Sequence, residues 1–192
     1  MNTRAMLSLV SILAGALAAG CQESSKPAGG SSPTPTPTTE STPAAAAELK
    51  EGDMAPDVEI ELQSGNSMKL SALRGKPVAL FFYPKDETPG CTVEAQGIRD
   101  MWADLSAASV AVIGVSTQDA DSHKRFIEKE KLPFDLAVDT DGSLAKAFGV
   151  PLKNGYAARQ TFLIGADGKV KKIWRQVTPN GHAAEILTAA RS

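Results

Sequence analysis

Cys91 and the turn before it carry the clearest chemical signal in the sequence. The run Pro77–Phe82 is short, apolar and partly β-branched, which is typical of a buried central strand, and Pro84 ends it. Thr88 is then a preferred N-cap residue, and Pro89 suits the first position of a helix. Cys91 therefore falls in the first helical turn, where free N–H groups and the helix dipole stabilise an anion. We expect a reactive thiolate at this position.

A helix after the turn is predicted to position Cys91. Apolar residues recur there mostly at spacings of three, four and seven and define one helical face: Val93, Ile98, Met101, Trp102 and Leu105. The resulting unit is a strand, a loop and a helix. Taken alone, Cys91 could equally be a small buried hydrophobe, as many cysteines are. The spacing of the residues around it favours chemistry instead.

Pro84, Thr88 and Cys91 form the pattern Pro-x-x-x-Thr-x-x-Cys. This pattern resembles the active-site motif of the peroxiredoxins. The longer run Phe-Tyr-Pro-Lys-Asp-x-Thr-Pro-Gly-Cys-Thr-x-Glu is similar to their bacterioferritin-comigratory, or Q-type, branch. The resemblance extends from about Lys50 to the C-terminus and leaves out only the first quarter of the chain.

The resemblance implies a role for each residue of a peroxidase site. Cys91 would attack one peroxide oxygen as a thiolate. The Thr88 hydroxyl would hold the thiolate or the peroxide, and Pro84 would cover the sulfur and limit water. Arg159 would bring a permanent positive charge and a rigid fork of donors to the thiolate and to the developing oxyanion. Glu94 also matches the family and would orient an arginine.

The cysteine count indicates how the oxidised enzyme is reduced. Many relatives in this branch carry a resolving cysteine five residues after the catalytic one, but Gln96 stands there in this chain. Cys21 is the only other cysteine. We therefore expect a one-cysteine variant whose sulfenic acid is resolved by an external thiol, with a thioredoxin-, glutaredoxin- or glutathione-like donor as the partner.

Other chemistries find no support in the sequence. The formal net charge of −2 does not suggest nucleic-acid binding. There is no Cys-x-x-Cys motif of the kind a disulfide reductase on this fold would use. His123 and His182 lie far apart in sequence and lack companion ligands, so we expect neither a metal nor a cofactor.

Residues 1–20 are predicted to be an export signal. Arg4 is their only charged residue, and the apolar stretch Ala5–Ala19 is shorter than the ~20 residues that span a bilayer. The ending Ala-Gly-Cys21 resembles the lipobox of bacterial lipoproteins, in which the cysteine is acylated, although Ala18 stands where leucine is usual. An ordinary signal peptide cut nearby is the alternative. Gln22 resembles the pattern of outer-membrane sorting, so we expect a lipid-anchored protein of the bacterial envelope, on the outer membrane and facing the periplasm.

The rest of the chain divides into a linker and one domain. Residues 21–48 are mainly Pro, Thr, Ser, Gly and Ala and favour a flexible, extended spacer. Residues 49–192 have the size of a single domain. They begin with a hairpin signal around Ser64-Gly65-Asn66 and continue with alternating strands and helices. We predict an α/β thioredoxin-like fold of the peroxiredoxin type, with a central mixed sheet flanked by helices.

The function predicted from the sequence is thiol-dependent reduction of hydrogen peroxide and organic hydroperoxides through a Cys91 sulfenic acid, in antioxidant defence of the envelope. We expect a monomer or a weak dimer. Two alternatives remain open at this stage. One is a non-enzymatic thioredoxin-fold module that binds a partner or holds unfolded chains. The other is a thiol-disulfide oxidoreductase, which the single motif cysteine disfavours.

Overall fold

The computed structural model describes residues 48–192. The predicted signal peptide, the predicted lipidation of Cys21 and the predicted linker therefore lie outside the described residues, apart from Glu48. Among the helices of residues 48–192, none has both the length and the apolar character needed to cross a bilayer.

Strands and helices alternate along the described residues. In chain order they are β1 (Glu59–Glu61), β2 (Ser67–Lys69), a 3₁₀ helix (Leu70–Leu73), β3 (Val78–Phe82), α1 (Pro89–Asp100), α2 (Trp102–Ala107), β4 (Ala111–Ser116), α3 (Ala120–Glu130), β5 (Asp135–Val138), α4 (Ser143–Ala147), β6 (Leu152–Lys153), β7 (Tyr156–Ala157), β8 (Gln160–Ile164), β9 (Val170–Trp174) and α5 (His182–Arg191).

A five-stranded mixed sheet forms the centre of the domain, with the order β5-β4-β3-β8-β9. Strands β3, β4 and β5 run parallel, as expected where helices connect them. Strands β8 and β9 are antiparallel to their neighbours. The β1–β2 hairpin precedes the sheet, with Ile60 opposite Met68. The predicted α/β thioredoxin-like fold, with a mixed sheet and an N-terminal hairpin, is confirmed.

Strand β3 lies at the middle of the sheet and is buried along its whole length. Alternate residues point to opposite faces, so Phe81 packs in one apolar layer with Cys91, while Phe82 packs in the other with Phe148. Gly114 on β4 leaves room for the side chains of its two neighbours in the layer that contains Phe81. A Cβ there would lie 2.7 Å from Cζ of Phe81 and 2.6 Å from Cδ2 of Leu136. Apolar layers on both faces hold β3, and the turn that follows it, firmly in place.

The helix predicted to follow Cys91 is broken in two at Met101, which adopts φ −97° and ψ 12°. Its buried face differs from the predicted one, since Val93 is 45% exposed. The inward positions are Cys91, Glu94, Ala95 and Ile98. The Glu94 carboxylate is thus buried, although the pattern of apolar residues did not place it on the inner face. Such a pattern cannot detect a buried charge whose partner is distant in sequence.

A short hairpin of β6 and β7 was not predicted. Its turn is Asn154-Gly155, and both residues have positive φ, at 53° and 81°. Asn-Gly is the preferred pair for a two-residue hairpin turn, so the signal was present in the sequence. The Thr117 hydroxyl donates to the Gly155 carbonyl at 2.8 Å and connects this hairpin to the loop after β4.

Candidate active site

The turn between β3 and α1 places Cys91 at the start of a helix. The Tyr83 N–H still bonds to the Val115 carbonyl, at 3.0 Å, and the half-buried Pro84 follows. Helix α1 begins at Pro89, with Thr88 at the N-cap position as predicted. Cys91 is the third helical residue and is only 2% exposed. Its sulfur therefore lies in a protected position beside the positive end of the helix dipole.

Strand pairing brings Arg159 to this sulfur across a separation of 68 residues. Phe82, the last residue of β3, is paired with Gln160, the first of β8. Arg159, directly before β8, is therefore carried to the end of β3 where the turn begins. Its Nη2 donates to Sγ of Cys91 at 3.1 Å. A permanent cation, half-buried, is in direct contact with the atom that would react.

Gly90 makes room for the guanidinium. A Cβ at this position would lie 3.3 Å from Nη2 of Arg159. That separation is shorter than an ordinary van der Waals contact, so any side chain at residue 90 would press on the group that contacts the sulfur. The glycine between Pro89 and Cys91 thus lets the guanidinium of Arg159 come close to the helix. It is not needed for its backbone conformation, because its φ is not positive.

Glu94 holds Arg159 from the other side. Its side chain is fully buried, and Oε2 accepts a hydrogen bond from Nη1 of Arg159. Within residues 48–192, Oε1 has no hydrogen-bond partner. Burial raises the pKa of Glu94 to about 7, although the charge and hydrogen bond of Arg159 oppose this. Burial opposes the charge of Arg159 as well, but Glu94 and Cys91 outweigh it, so the pKa of Arg159 is raised.

Thr88 and Pro84 both lie in the segment between β3 and Cys91. The Thr88 hydroxyl donates to the Lys85 carbonyl at 3.0 Å and makes no capping bond to the helix. Since its single proton is used there, its remaining lone pairs can only accept. Thr88 thus closes the loop in this structure, whereas its contact with the thiolate or peroxide stays a prediction. Strand β3 ends shortly before Pro84, as predicted from the sequence.

Sequence reasoning missed a buried polar cluster beside the loop. Asp86 accepts hydrogen bonds from Tyr83 and Ser122 and contacts His123, which the sequence showed only as a histidine without companion ligands. A usable signal existed, because His123 and Phe126 are three apart and share one face of α3. His182 is likewise buried, against the Thr161 hydroxyl at 2.8 Å.

Among residues 48–192, no three His, Cys, Asp or Glu side chains come together as a possible metal site.

The architecture and the cysteine turn match a known family. Residues 51–173 match the model of the AhpC/TSA family. This stretch is more than half of the chain, and the chain therefore belongs to the AhpC/TSA family of peroxiredoxins.

Within the family, the matches identify the branch. The chain is 43% identical to the peroxiredoxin Bcp of Bacillus subtilis over 143 residues, which are 71% of this chain and 91% of that one. The crystal structure of peroxidoxin BcpB from Mycobacterium tuberculosis aligns with a TM-score of 0.70 at 34% identity, covering 74% and 97% of the two chains. The bacterioferritin comigratory protein of Xanthomonas campestris aligns at 0.68 and 33% identity, covering 74% and 96%. This chain is a peroxiredoxin of the bacterioferritin-comigratory type and a thiol-dependent peroxidase.

Glu94 should make the stability of the protein depend on pH. Its carboxyl releases a proton near pH 4.5 in the unfolded chain and near 7 in the folded one. Between these values the folded state holds the extra proton, so the free energy of unfolding should fall as pH rises, by about 3 kcal/mol in total. Glu94→Gln does not titrate there and should escape this decline.

The measurement is urea unfolding of the reduced full chain at several pH values from 4.5 to 8. The stability difference between Glu94→Gln and the wild type should shift steadily in favour of the variant. Glu128→Gln, an exposed change on α3, is the control and should run parallel to the wild type. Parallel curves for Glu94→Gln as well would show that Glu94 is ionised throughout this range.

Proposed function

We propose that this peroxidase acts through a single cysteine, Cys91, and reduces hydrogen peroxide and organic hydroperoxides with electrons from an external thiol. The observation that carries the proposal is the 3.1 Å contact between Nη2 of Arg159 and Sγ of Cys91 at the first turn of α1. A buried sulfur beside a fixed cation and a helix N-terminus is favoured as thiolate, which is the nucleophile that peroxide reduction needs.

The first half-reaction breaks the O–O bond. The Cys91 thiolate attacks the terminal oxygen of the hydroperoxide, an S–O bond forms, and the alkoxide or hydroxide that leaves takes up a proton. The cysteine becomes a sulfenic acid, and the peroxide is reduced to an alcohol or water. Arg159 presents its donors where negative charge develops on the leaving oxygen. The first-turn N–H groups of Gly90 and Cys91 precede the first helical bond, from Thr92 to Thr88, and point beyond the helix end.

Thr88 and Pro84 would orient the peroxide. Because the Thr88 hydroxyl already donates to Lys85, it can accept the O–H of a hydroperoxide and turn the terminal oxygen toward the sulfur. Pro84 brings a rigid ring without an N–H to the same turn, which suits it to limiting water around the sulfur. Glu94 would act on Arg159, by holding the plane of the guanidinium through Nη1 so that Nη2 faces Cys91.

The second half-reaction would use a thiol from outside the chain. One thiol condenses with the sulfenic acid, releasing water and forming a mixed disulfide, and a second thiol attacks that disulfide and frees the Cys91 thiolate. Gln96, at the place of the resolving cysteine in many relatives, instead donates to Glu130 on α3 at 2.8 Å. Cys91 is the only cysteine in residues 48–192. A thioredoxin-, glutaredoxin- or glutathione-like donor fits this requirement.

Organic hydroperoxides are included because the structure of the Xanthomonas campestris relative is described in terms of alkyl peroxide reduction.

We also propose that the enzyme is a lipoprotein of the bacterial envelope, anchored through Cys21 and facing the periplasm from the outer membrane. The support is the apolar stretch Ala5–Ala19, the ending Ala-Gly-Cys21 and the Pro- and Thr-rich run up to residue 48. Such a spacer is extended at ~3.1 Å per residue and would hold the peroxidase domain up to roughly 80 Å from the membrane. Acylation would also make the Cys21 sulfur a thioether, which cannot resolve Cys91.

Cys91→Ser in the full chain should abolish turnover, since serine is far less acidic and cannot form the sulfenic acid. Gln96→Ala is the matched control on the same helix and should keep the wild-type rate of peroxide reduction. The assay is stopped-flow peroxide consumption with glutathione, glutaredoxin or thioredoxin as the donor. Fast consumption by Cys91→Ser would refute the mechanism.

Expressed in a bacterium, the mature protein should begin at an acylated Cys21 and fractionate with membranes. Cys21→Ser should not be processed by the lipoprotein route, whereas Ser24→Ala should be processed normally. Mass spectrometry of the N-terminal peptide shows at which residue each protein begins and whether Cys21 is acylated. An unmodified N-terminus at another residue would exclude the anchor, and would leave Cys21 free as a possible resolving thiol.

A further inference from the structure

A closed set of hydrogen bonds connects the catalytic turn to α3. Asp86, in the turn, accepts from the Tyr83 hydroxyl at 2.6 Å and from the Ser122 hydroxyl at 2.7 Å. Its Oδ2 lies 2.9 Å from Nδ1 of His123. On the far side of the ring, Nε2 lies 3.1 Å from the Ala137 carbonyl. Asp86 and His123 are buried, and the peroxidase chemistry described above uses neither.

The partners of His123 determine how many protons its ring carries. A carbonyl oxygen can only accept, so Nε2 must hold a proton to bond with Ala137. Burial raises the pKa of Asp86, but its hydrogen bonds and the charge of His123 hold that pKa below its ordinary value. Its side chain is therefore a carboxylate that can also only accept, and Nδ1 then holds a proton as well. Both ring nitrogens then donate, and the ring is an imidazolium paired with a buried carboxylate.

The surroundings of the pair support this assignment. Directly after β3, the Tyr83 hydroxyl lies 3.4 Å from Nδ1. On α3 the Ser122 hydroxyl binds Asp86, and on β5 the ring meets only a carbonyl. Asp86 is the one charged group that these contacts give to His123 within the described residues. Burial is the largest influence on the pKa of Asp86 and raises it, but the bonds and charge of His123, with Tyr83 and Ser122, bring it below its ordinary value.

We propose that His123 is a positioning residue of the peroxidase reaction, whose imidazolium holds Asp86 and thereby fixes the turn that presents Cys91. The inference rests on the proposed role of Cys91. Tyr83 connects the pair of Asp86 and His123 to Cys91, because it donates to Asp86 and packs in the same apolar layer as Cys91. Burial raises the pKa of Tyr83 well above its ordinary value, and the nearby charges of Asp86 and Cys91 add to the effect.

The turn needs such a hold because its backbone is strained. Glu87, next to Asp86, has φ 58°, a left-handed conformation that is unfavourable for residues other than glycine. The Glu87 carboxylate pairs with Lys129 at 3.0 Å, but that pair is exposed. The contacts of the buried Asp86 with His123 and Ser122 therefore connect this turn to α3 more strongly than the exposed pair does.

The protonation state can be read directly by nitrogen NMR of the full chain labelled at histidine. The chain has two histidines, so one His182→Gln sample assigns both signals. His123 should show two protonated nitrogens at pH 7.5. His182 is the internal control and should be neutral, because the Thr161 hydroxyl can donate to its Nε2 and because burial lowers its pKa, as does Arg159, against the effect of Glu185. A His123 ring with one protonated nitrogen at pH 7.5 would overturn the proposal.

The effect on the reaction is tested with His123→Gln, which leaves Asp86 buried without a counter-charge. The rate constant of Cys91 with hydrogen peroxide should fall roughly ten- to hundredfold, the scale of a small displacement of reacting groups. The pH midpoint of Cys91 alkylation should move upward, because an unpaired negative charge disfavours the thiolate. The double variant Asp86→Asn with His123→Gln removes both charges and should restore this midpoint. Lys124→Gln, exposed on α3, should change neither quantity.

A purely structural role would lower stability but leave the peroxide rate and the alkylation midpoint of the folded protein unchanged. Wild-type values of both in His123→Gln, with circular dichroism and urea unfolding showing a folded chain, would overturn the proposal. The NMR result does not require any variant of His123 to fold. Because Cys91→Ser tests the peroxidase mechanism separately, a failure of this proposal would leave the proposed function intact.

Discussion

The site depends on one guanidinium placed between a sulfur and a buried carboxylate. Arg159 donates to Cys91 through Nη2 and to Glu94 through Nη1. Glu94 and Cys91 compete for the positive charge of Arg159. A fully ionised Glu94 would neutralise the charge that would otherwise stabilise a thiolate at Cys91. Burial prevents this by raising the pKa of Glu94 to about 7, so that near neutral pH much of the cationic charge is available to the sulfur. Strand pairing and the absence of a side chain at Gly90 fix this arrangement.

The fold supplies a second buried pair of titratable groups, Asp86 and His123, on the other side of the turn. Arg159 and Glu94 hold the helical side of Cys91, while Asp86 and His123 hold the loop that precedes it. The two pairs reach the turn from different elements, β8 with α1 in one case and α3 in the other. A buried charge without its partner is costly, so each pair strongly restricts where its backbone can lie. The thiol of Cys91, in the first turn of α1, thereby gains a position as defined as that of a side chain on a strand.

Local chemistry was predictable from the sequence, and distant pairing was not. The end of the strand before Pro84 and the N-cap position of Thr88 follow from short-range signals, and the structure has them as predicted. The resemblance to peroxiredoxins gave the family correctly. The buried contact of His123 with Asp86 joins residues 37 apart and depends on how α3 packs on the turn, which no local pattern records. The burial of Glu94 could not be derived for the same reason.

The rate of peroxide reduction by Arg159→Lys tests the central claim most directly. Lysine keeps the charge but lacks the planar fork that bonds the sulfur and Glu94 together, so the rate constant of the reduced full chain with hydrogen peroxide should fall roughly 100-fold or more. Arg99→Lys, on α1 but bonded to the Glu130 carbonyl, is the control and should react at the wild-type rate. A near wild-type rate for Arg159→Lys, measured by stopped flow, would show that Arg159 is structural and contradict the account.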